Sequence, residues 1–346
     1  MIVKKYTYIF VLMIFFFDAV YAQDPSFSQF FASPLTLNPA LTGNFDGDLR
    51  AAGNYRNQWP AINNAFITST VSLDMPVMQT KLREGDRWAI GLMAMNDKTA
   101  NGILTSNYLS FSTAYHKAID QNGLHKLSVG FQGTYANKKL DGPKLHFLDG
   151  LQVDGTWLPS SSEPENMKMV TSHYFDMNVG ALYNGSLNGT NEMYVGFSVY
   201  HINRPKETFL NDNNIVVPTR VTLHAGGYFP GANSGTTLYV SALYNRQATG
   251  SELVFGMALE LPASADENKP VNVYIGSWTR INNVEDAVIP YVGLDYGSFN
   301  LGITYDVNIS GLKKASYGMG GIEISLIYIF KKKDHSSEHE VQCPRF

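Results

Sequence analysis

Apolar and polar residues alternate along the stretch 299–309, which reads FNLGITYDVNI. Every odd-numbered position from Phe299 to Ile309 carries an apolar or aromatic side chain, whereas the positions between them carry Asn, Gly, Thr, Asp and Asn. Successive side chains of a β-strand point to opposite faces. The stretch therefore predicts a strand with one apolar face and one polar face.

The same alternation recurs along the chain and predicts about 14 strands. Their expected starts lie near residues 48, 66, 87, 105, 125, 173, 191, 219, 236, 251, 270, 288, 298 and 320. Each segment is about ten residues long, which is the length that a tilted strand needs to cross a bilayer. The pattern indicates an all-β protein and leaves two alternatives, a soluble sandwich or propeller and an outer-membrane barrel.

The first 22 residues have the three parts of a secretory signal peptide. Lys4 and Lys5 precede an apolar run over residues 8–17, and Val20 and Ala22 stand at the small-residue positions before a cleavage site. The apolar run is too short for a transmembrane helix, which needs about 20 residues. We therefore expect residues 1–22 to be removed from an exported protein that begins at Gln23.

Loop lengths and aromatic residues favour the barrel. Outer-membrane barrels have an even number of strands, both termini in the periplasm, short turns there and longer loops outside. The connections after odd-numbered strands include the two longest, residues 140–172 and 203–218. Tyr and Trp favour membrane–water interfaces, and six of them fall near expected strand ends: Tyr183, Tyr200, Tyr244, Trp278, Tyr305 and Tyr328. We predict a transmembrane up-and-down antiparallel β-barrel of outer-membrane type over residues 48–330, in contact with outer-membrane lipid.

A barrel of this width cannot fill its own interior, so its lumen must hold water, an inserted segment or a ligand. Asp306, Asn308 and Glu323 lie in the polar rows of the last two strands and are expected to face the lumen. The two acids are expected either to pair with Arg220 or Arg246 or to line a pore.

Composition and motifs exclude several functions. The net charge of −4 argues against a nucleic-acid partner, because no large basic surface can form. Cys343 is the only cysteine, so the chain has neither an intramolecular disulfide nor a cysteine-rich metal site. The one conceivable nucleophile–base pair, Ser198 and His201, is spaced so that the two side chains lie on opposite faces of a strand. We therefore predict that the protein is not an enzyme and expect no cofactor.

Three segments do not fit the barrel wall. Residues 23–47 contain Pro25, Pro34 and Pro39, which disfavour a central strand or a long helix. The same segment carries several aromatic residues that need burial, so we expect a periplasmic segment or a lumen plug. The stretch 201–207 reads HINRPKE, and the polar tail 331–346 ends in CPRF. Candidate partner-binding residues in these last two segments are Arg204, Pro205, Lys206, Arg345 and Phe346.

Four stretches resemble the PorP/SprF family in sequence and in order. They are the opening QDPSFSQFFASPLTLNPALTGNFDGDLRAAGNYRNQWPAI, YHINRPKETF at residues 200–209, TYDVNISGLKKAS at 304–316 followed by GGIEISLIYIF, and the terminal CPRF. The resemblance spans nearly the whole mature chain, although residues 140–172 contain no motif to compare. It implies an outer-membrane barrel of the type IX secretion system in a Gram-negative bacterium, an accessory or docking protein rather than the translocation pore.

The resemblance implies that the barrel associates with other secretion components and serves particular cargo, including adhesins that act in gliding motility. We expect the outer loops, chiefly residues 140–172 and 203–218, to receive the C-terminal signal domain of that cargo. The N-terminal segment and the periplasmic tail, residues 331–346, would couple the barrel to those components. The alternative is a transport barrel for small solutes, since Asn38-Pro39-Ala40 also resembles the start of fatty-acid transport barrels, the FadL-like channels. The sequence leaves open which cargo or partner is bound, on which face of the membrane, in what oligomeric state, and whether the lumen is open or plugged.

Overall fold

A computed structural model describes residues 24–62, 64–145, 152, 169–186, 188–209, 215–231, 235–264, 271–282 and 286–331. The predicted signal peptide, the centre of the long connection after the fifth strand and the tail from residue 332 lie outside the described residues.

Fourteen antiparallel strands close into one barrel, in which each strand pairs with its sequence neighbours and the first pairs with the last. The strands are β1 (Leu49–Gln58), β2 (Phe66–Val77), β3 (Arg87–Thr99), β4 (Leu104–Ala118), β5 (His125–Leu140), β6 (Val170–Ser186), β7 (Glu192–Tyr200), β8 (Arg220–Pro230), β9 (Thr237–Gln247), β10 (Gly250–Pro262), β11 (Val271–Asn282), β12 (Ala287–Tyr296), β13 (Phe299–Asn308) and β14 (Met319–Phe330). The predicted up-and-down barrel is confirmed.

The alternation of side chains sets the two faces of the wall. Along β13 the apolar residues from Phe299 to Val307 are exposed on the outside, whereas Asn300, Thr304 and Asp306 are buried inside. Because a closed sheet pairs its backbone groups between strands, the wall can lie in lipid without orphan donors or acceptors. The strands β4, β5 and β6 have 15, 16 and 17 residues, which is longer than the expected ten.

The two rims of the barrel differ. We call the rim where β1 begins and β14 ends the termini end, and the opposite rim the loop end. The two longest connections, residues 141–169 and 201–219, lie at the loop end, whereas the tight turn 297–298 lies at the termini end. Outside the wall, the residues that the structure describes form two short α-helices, α1 (Pro34–Leu37) and α2 (Lys313–Ser316), and 3₁₀ turns at Phe30–Ala32, Pro39–Leu41, Gln79–Lys81 and Gly142–Lys144.

Two of the predicted interfacial aromatic residues lie elsewhere. Trp278 and Tyr200 are buried inside the lumen, where each packs against other lumenal side chains. Their positions fall in the inward rows of β11 and β7, so alternation and not proximity to a strand end decides their environment. Tyr244 and Tyr305 do lie on the outer face. In the described part of the chain, no helix is long and apolar enough to cross a membrane.

Candidate functional site: a plugged lumen

Residues 24–47, the plug segment, lie inside the barrel and hydrogen-bond to inward-facing side chains around the wall. Pro34 and Pro39 each begin a short helical turn, a position where the missing N–H costs nothing. Between them the Asn38 side chain accepts a hydrogen bond from the backbone N–H of Ala40 at 2.8 Å. The segment therefore folds as a series of turns in which many backbone N–H and C=O groups hydrogen-bond within the segment itself.

At the loop end the plug segment is held by a cluster of charges. Asp24 lies 2.7 Å from Nε2 of His201 and 3.3 Å from the Arg220 guanidinium. Nδ1 of His201 lies 3.0 Å from Asp176 of β6. The backbone N–H of Asp24 also donates to Gln247 at 2.8 Å. This loop-end cluster ties the start of the plug segment to the first residue of the connection 201–219.

The loop-end cluster sets the protonation states of its own members. Burial alone would lower the pKa of His201, but the Asp24 and Asp176 carboxylates outweigh burial and raise this pKa to about 9. Burial would raise the pKa of Asp24, yet His201 and Arg220 hold it below its usual value. Near neutral pH the His201–Asp24 contact is therefore an ion pair.

A second polar cluster joins the plug segment to β1, β11, β13 and β14 on another side of the barrel. The Glu323 carboxylate accepts the backbone N–H groups of Ser28 and Gln29 at 2.7 and 3.0 Å. The Asp306 carboxylate accepts the Ser28 hydroxyl at 2.8 Å and pairs with Arg56 at 3.1 Å and Arg280 at 2.8 Å. We call these residues the Asp306 cluster. Because each acid is matched by donors from the plug segment or the wall, these charges can stay buried.

An aromatic contact sits beside the Asp306 cluster. Phe31 of the plug segment packs 5.0 Å from the Trp278 ring and edge-on to Tyr291 at 5.8 Å. Nε1 of Trp278 donates to the Ser241 hydroxyl at 3.0 Å, so the buried indole keeps a polar partner. Buried aromatic residues of the lumen thus form a hydrophobic core between the plug segment and the wall.

In mid-lumen the plug backbone touches glycines of the wall. A Cβ atom at Gly130 would lie 2.3 Å from the Pro39 carbonyl carbon, and one at Gly180 would lie 1.8 Å from Oδ1 of Asn38. The Asn38 amide also donates to the Ala181 carbonyl oxygen at 3.0 Å. Only the absence of a side chain at these two inward positions lets the plug approach this closely.

At the termini end, a third group of contacts binds the plug segment to the wall. The Arg50 guanidinium pairs with Asp74 at 2.7 Å and donates to the Leu41 carbonyl oxygen at 2.9 Å. The backbone N–H of Gly43 donates to Asp74 at 2.6 Å. Nε2 of His116 lies 2.8 Å from the Thr42 carbonyl oxygen. The plug segment therefore runs the length of the lumen, from Asp24 at the loop end to the start of β1 at the termini end.

The structure places the predicted lumenal residues as follows. Asp306, Asn308 and Glu323 are all buried inside the barrel. Asp306 and Glu323 do not pair with Arg220 or Arg246 as expected: the partners of Asp306 are Arg56 and Arg280, and Glu323 binds the plug backbone. Asn308 accepts from the Ser310 backbone N–H at 3.0 Å and caps the turn after β13.

The structure describes three of the five predicted partner-binding residues. Arg204 and Lys206 are exposed in the connection 201–219, and Pro205 between them is buried. A β-bridge between Lys206 and Val216 draws the two sides of this connection together. Arg345 and Phe346 lie outside the described residues, so their role stays a prediction.

No catalytic pair forms from the residues considered. Ser198 donates to the Leu37 carbonyl oxygen at 2.8 Å, whereas His201 is bound by Asp24 and Asp176. Among the described residues, no group of three His, Cys, Asp or Glu side chains is placed to hold a metal ion.

Sequence reasoning missed most of the charges that hold the plug segment, namely Asp24, Arg50, Arg56, Asp74 and Arg280. A signal for two of them was present, because Arg50 and Arg56 share the inward row of β1. Two arginines on the inner face of a barrel strand require lumenal acids. Which acids they meet depends on register and on the path of the plug, and alternation specifies neither.

The closed barrel and its inserted segment define a class, the outer-membrane β-barrels whose lumen is filled by their own chain. Residues 19–328 match the family described as type IX secretion system membrane protein PorP/SprF, and the chain belongs to that family. It is accordingly a type IX secretion system membrane protein of the outer membrane. The family is one of secretion membrane proteins and not of enzymes, so the predictions of family, location and absence of enzymatic activity are confirmed.

The chain is similar to several solved outer-membrane proteins at low sequence identity. The chain is similar to the CymD monoaromatic hydrocarbon channel, with 11% identity and a TM-score of 0.46 over 87% of this chain and 93% of that one. A FadL homologue from Pseudomonas aeruginosa has 8% identity and a TM-score of 0.41 over 90% and 100% of the two chains. A bacterial polysaccharide outer membrane secretin has 9% identity and a TM-score of 0.42 over 84% and 100%. No curated protein matches the chain significantly.

Proposed function

We propose that this barrel is a docking component of the type IX secretion system and not a conduit. Its loop end receives the C-terminal signal domain of a secreted cargo such as an adhesin, and its tail at the termini end binds other components of the machine. The observation that supports a docking role over transport is the filled lumen. A segment tied to the wall at both ends and in the middle occupies the lumen through which a solute would have to pass.

The connection 201–219 is the proposed receptor surface. Arg204 and Lys206 are exposed there, and Lys138 of β5 fixes its base through an ion pair with Glu207 at 2.8 Å. Two exposed cations on a braced connection suit a partner with an acidic surface, since complementary charge increases association rates and specificity. The plug segment offers no such surface, because residues 24–47 lie within the barrel. Coupling to periplasmic partners is therefore assigned to residues 331–346 alone.

The docking role is tested with a double variant, Arg204→Ala with Lys206→Ala. We expect it to lose at least ten-fold of the affinity for an isolated cargo signal domain, because both cations leave the receptor surface. The matched control is Lys313→Ala with Lys314→Ala, which removes two exposed lysines at the same rim. Equal binding by both double variants and the parent protein would reject this connection as the receptor.

The tail is tested separately by removing residues 332–346. Co-purification of type IX components should fall, while binding of the cargo signal domain should persist. Retention of every periplasmic partner would contradict the coupling role of the tail.

The alternative function is transport of small solutes, with the plug segment acting as a movable hatch. A liposome-swelling assay separates the two functions. A docking barrel should admit sugars no faster than empty liposomes do, whereas a transport barrel should admit its solutes rapidly.

A further inference from the structure

One edge of β6 lacks a partner strand near the loop end. The strand pairs with β5 over residues 170–185, but it pairs with β7 only from Val179 onwards. Residues 170–178 therefore have a neighbouring strand on one side only. A strand edge of this kind presents a row of backbone N–H and C=O groups with which another chain can pair.

The lower part of this edge is capped by the side chain of Asn203. Its amide oxygen accepts the backbone N–H of Met177 at 3.0 Å, and its amide nitrogen donates to the Phe175 carbonyl oxygen at 2.7 Å. Alternate residues of a strand direct their backbone groups to the same side, so those of His173 and Thr171 point to this edge as well. No residue that the structure describes hydrogen-bonds to them there.

The connection 201–219 leaves the edge open because it turns toward the lumen. His201 and Arg204 have positive φ angles of 59° and 44°, a conformation that is uncommon for residues other than glycine. Beyond this turn, the backbone N–H of Thr208 donates to the hydroxyl of the buried Ser172 at 3.1 Å, and Val217 packs in the barrel interior. The connection therefore lies against the inward face of β6 instead of continuing β7 along its edge.

The open part of the edge lies outside the hydrocarbon region of the membrane. On the outer face of β3–β6, residues that pair with each other form rows across the four strands. Two successive rows near the loop end are polar, namely Asn96, Asn107, Asn137 and His173, and then Lys98, Thr105, Lys139 and Thr171. The next row toward the termini end is apolar and consists of Ala94, Leu109, Tyr135 and Phe175. Charged residues on the lipid face are unfavourable, so the edge at residues 171–173 is reached from the aqueous side.

Exposed cations flank the open edge and decide which strand fits. Lys139 pairs directly with Thr171 across β5 and β6, and Arg204 follows the residue that caps the edge. Edge-to-edge pairing with a second copy of the barrel would bring these cations together. A strand from an acidic partner would neutralise them, since complementary charge favours association.

We propose that residues 171–175 bind an extended, acidic segment of the cargo signal domain by β-strand addition. This inference rests on the proposed docking function and names its binding mode. The partner's backbone pairs with Thr171, His173 and the N–H of Phe175, and its acidic side chains lie beside Lys139 and Arg204. Because pairing groups recur at every second residue, the added segment has about five residues. Main-chain hydrogen bonds supply the affinity in this mode of recognition, and alternate side chains supply the specificity.

Amide hydrogen exchange of the purified full-length barrel in detergent tests the edge directly. In the protein alone, the amides of Thr171, His173 and Phe175 should exchange rapidly, whereas those of Ser172 and Tyr174, which face β5, should exchange slowly. Addition of the isolated cargo signal domain should slow the first three by at least ten-fold. Slow exchange of these amides in the protein alone would overturn the proposal, because the chain itself would cover the edge. If that protection increased with protein concentration, a second copy would be the occupant.

A proline at position 173 tests the backbone contact by binding. His173→Pro removes an N–H that points away from β5, so the ladder with β5 stays intact, and affinity for the signal domain should fall at least ten-fold. His173→Ala is the matched control, which keeps the N–H and should bind as the parent protein does. If circular dichroism shows that His173→Pro does not fold, Thr171→Pro and Thr171→Ala make the same comparison. Equal binding by the proline and alanine variants would overturn strand addition and leave docking through the connection 201–219 intact. Absence of binding by the parent protein would reject the docking function, and this proposal with it.

Discussion

Gly130 shows how a single missing side chain determines the path of the plug segment. A Cβ atom there would meet the backbone of Pro39 and Ala40, which cannot rotate away as a side chain can. We expect Gly130→Ala to lower the free energy of unfolding by about 1–3 kcal/mol, the usual cost of overpacking a filled interior. Thermal unfolding of the barrel in detergent measures the loss. Gly311→Ala is the control, because nothing lies within 4 Å of its added Cβ. Equal stability of the two variants would show that mid-lumen contact does not hold the plug segment.

Asp306 gives a second prediction at the scale of one residue. Asp306→Asn removes the charge that compensates Arg56 and Arg280, both of which are buried. Breaking one member of a buried charge network typically costs about 3–5 kcal/mol, because the remaining charges stay desolvated. Asp141→Asn is the matched control, since its pair with Lys144 is partly exposed and should contribute below about 1 kcal/mol. A loss of thermal stability in Asp306→Asn no greater than in the control would mean that water already reaches this cluster.

Sequence alternation predicts the residues of the wall well and the residues of the plug poorly. All fourteen strands begin within three residues of their expected starts, the largest difference being at β6. Alternation also predicts that Asp306 and Glu323 face inward. The face on which a strand side chain lies follows from its position in the strand's own sequence and does not require knowing which strands pair with it. The partners of those acids depend on strand register and on the route of residues 24–47. Neither the register nor the route can be read from the sequence of a single strand, so the pairing of Arg280 with Asp306 could not be predicted.

At the scale of elements, the link between the plug segment and the connection 201–219 depends on pH. His201 has a pKa raised to about 9 from an ordinary value of 6.5, so its contribution to stability is complete below pH 6.5. That contribution is lost as pH rises through about 9. Asp24 acts in the opposite sense: its pKa is lowered, so its contribution is present above its usual value near 3.8 and is lost only in stronger acid. The link should therefore be strongest between about pH 4 and pH 6.5.

Thermal unfolding between pH 6 and pH 10 measures this dependence. The parent protein should lose stability across pH 6.5–9, and His201→Gln should be less stable at pH 6 but should lack most of that slope. His173→Gln serves as the control, because this histidine bonds only to exposed groups on the outer face of the wall and should leave the slope intact. A parent protein whose stability is flat over this range, or a variant that keeps the slope, would contradict the ion pair.

The contacts that hold the plug segment differ between the loop end and mid-lumen. The plug segment is held there by charged side chains, whereas in mid-lumen its backbone packs directly on glycine positions of the wall. Side chains at the rim can exchange their contacts for hydrogen bonds to water at a modest cost in free energy. Backbone atoms packed directly against the backbone of the wall have no alternative arrangement. Any motion of the plug should therefore begin at Asp24 and not at Pro39.

For the whole molecule, conductance across a planar bilayer distinguishes a docking barrel from a transport barrel. The intact barrel should be nearly silent, because the plug segment spans the lumen from rim to rim. Deletion of residues 24–36 removes the loop-end half of the plug but keeps Pro39 against Gly130, so conductance should stay low. Deletion of residues 24–44 removes the mid-lumen wedge as well and should open a pore of the size of an unplugged barrel. Circular dichroism of each variant in detergent verifies that the barrel has folded. Large conductance of the intact protein would instead favour the transport function, and opening by the shorter deletion would move the constriction from Pro39 to the Asp306 cluster.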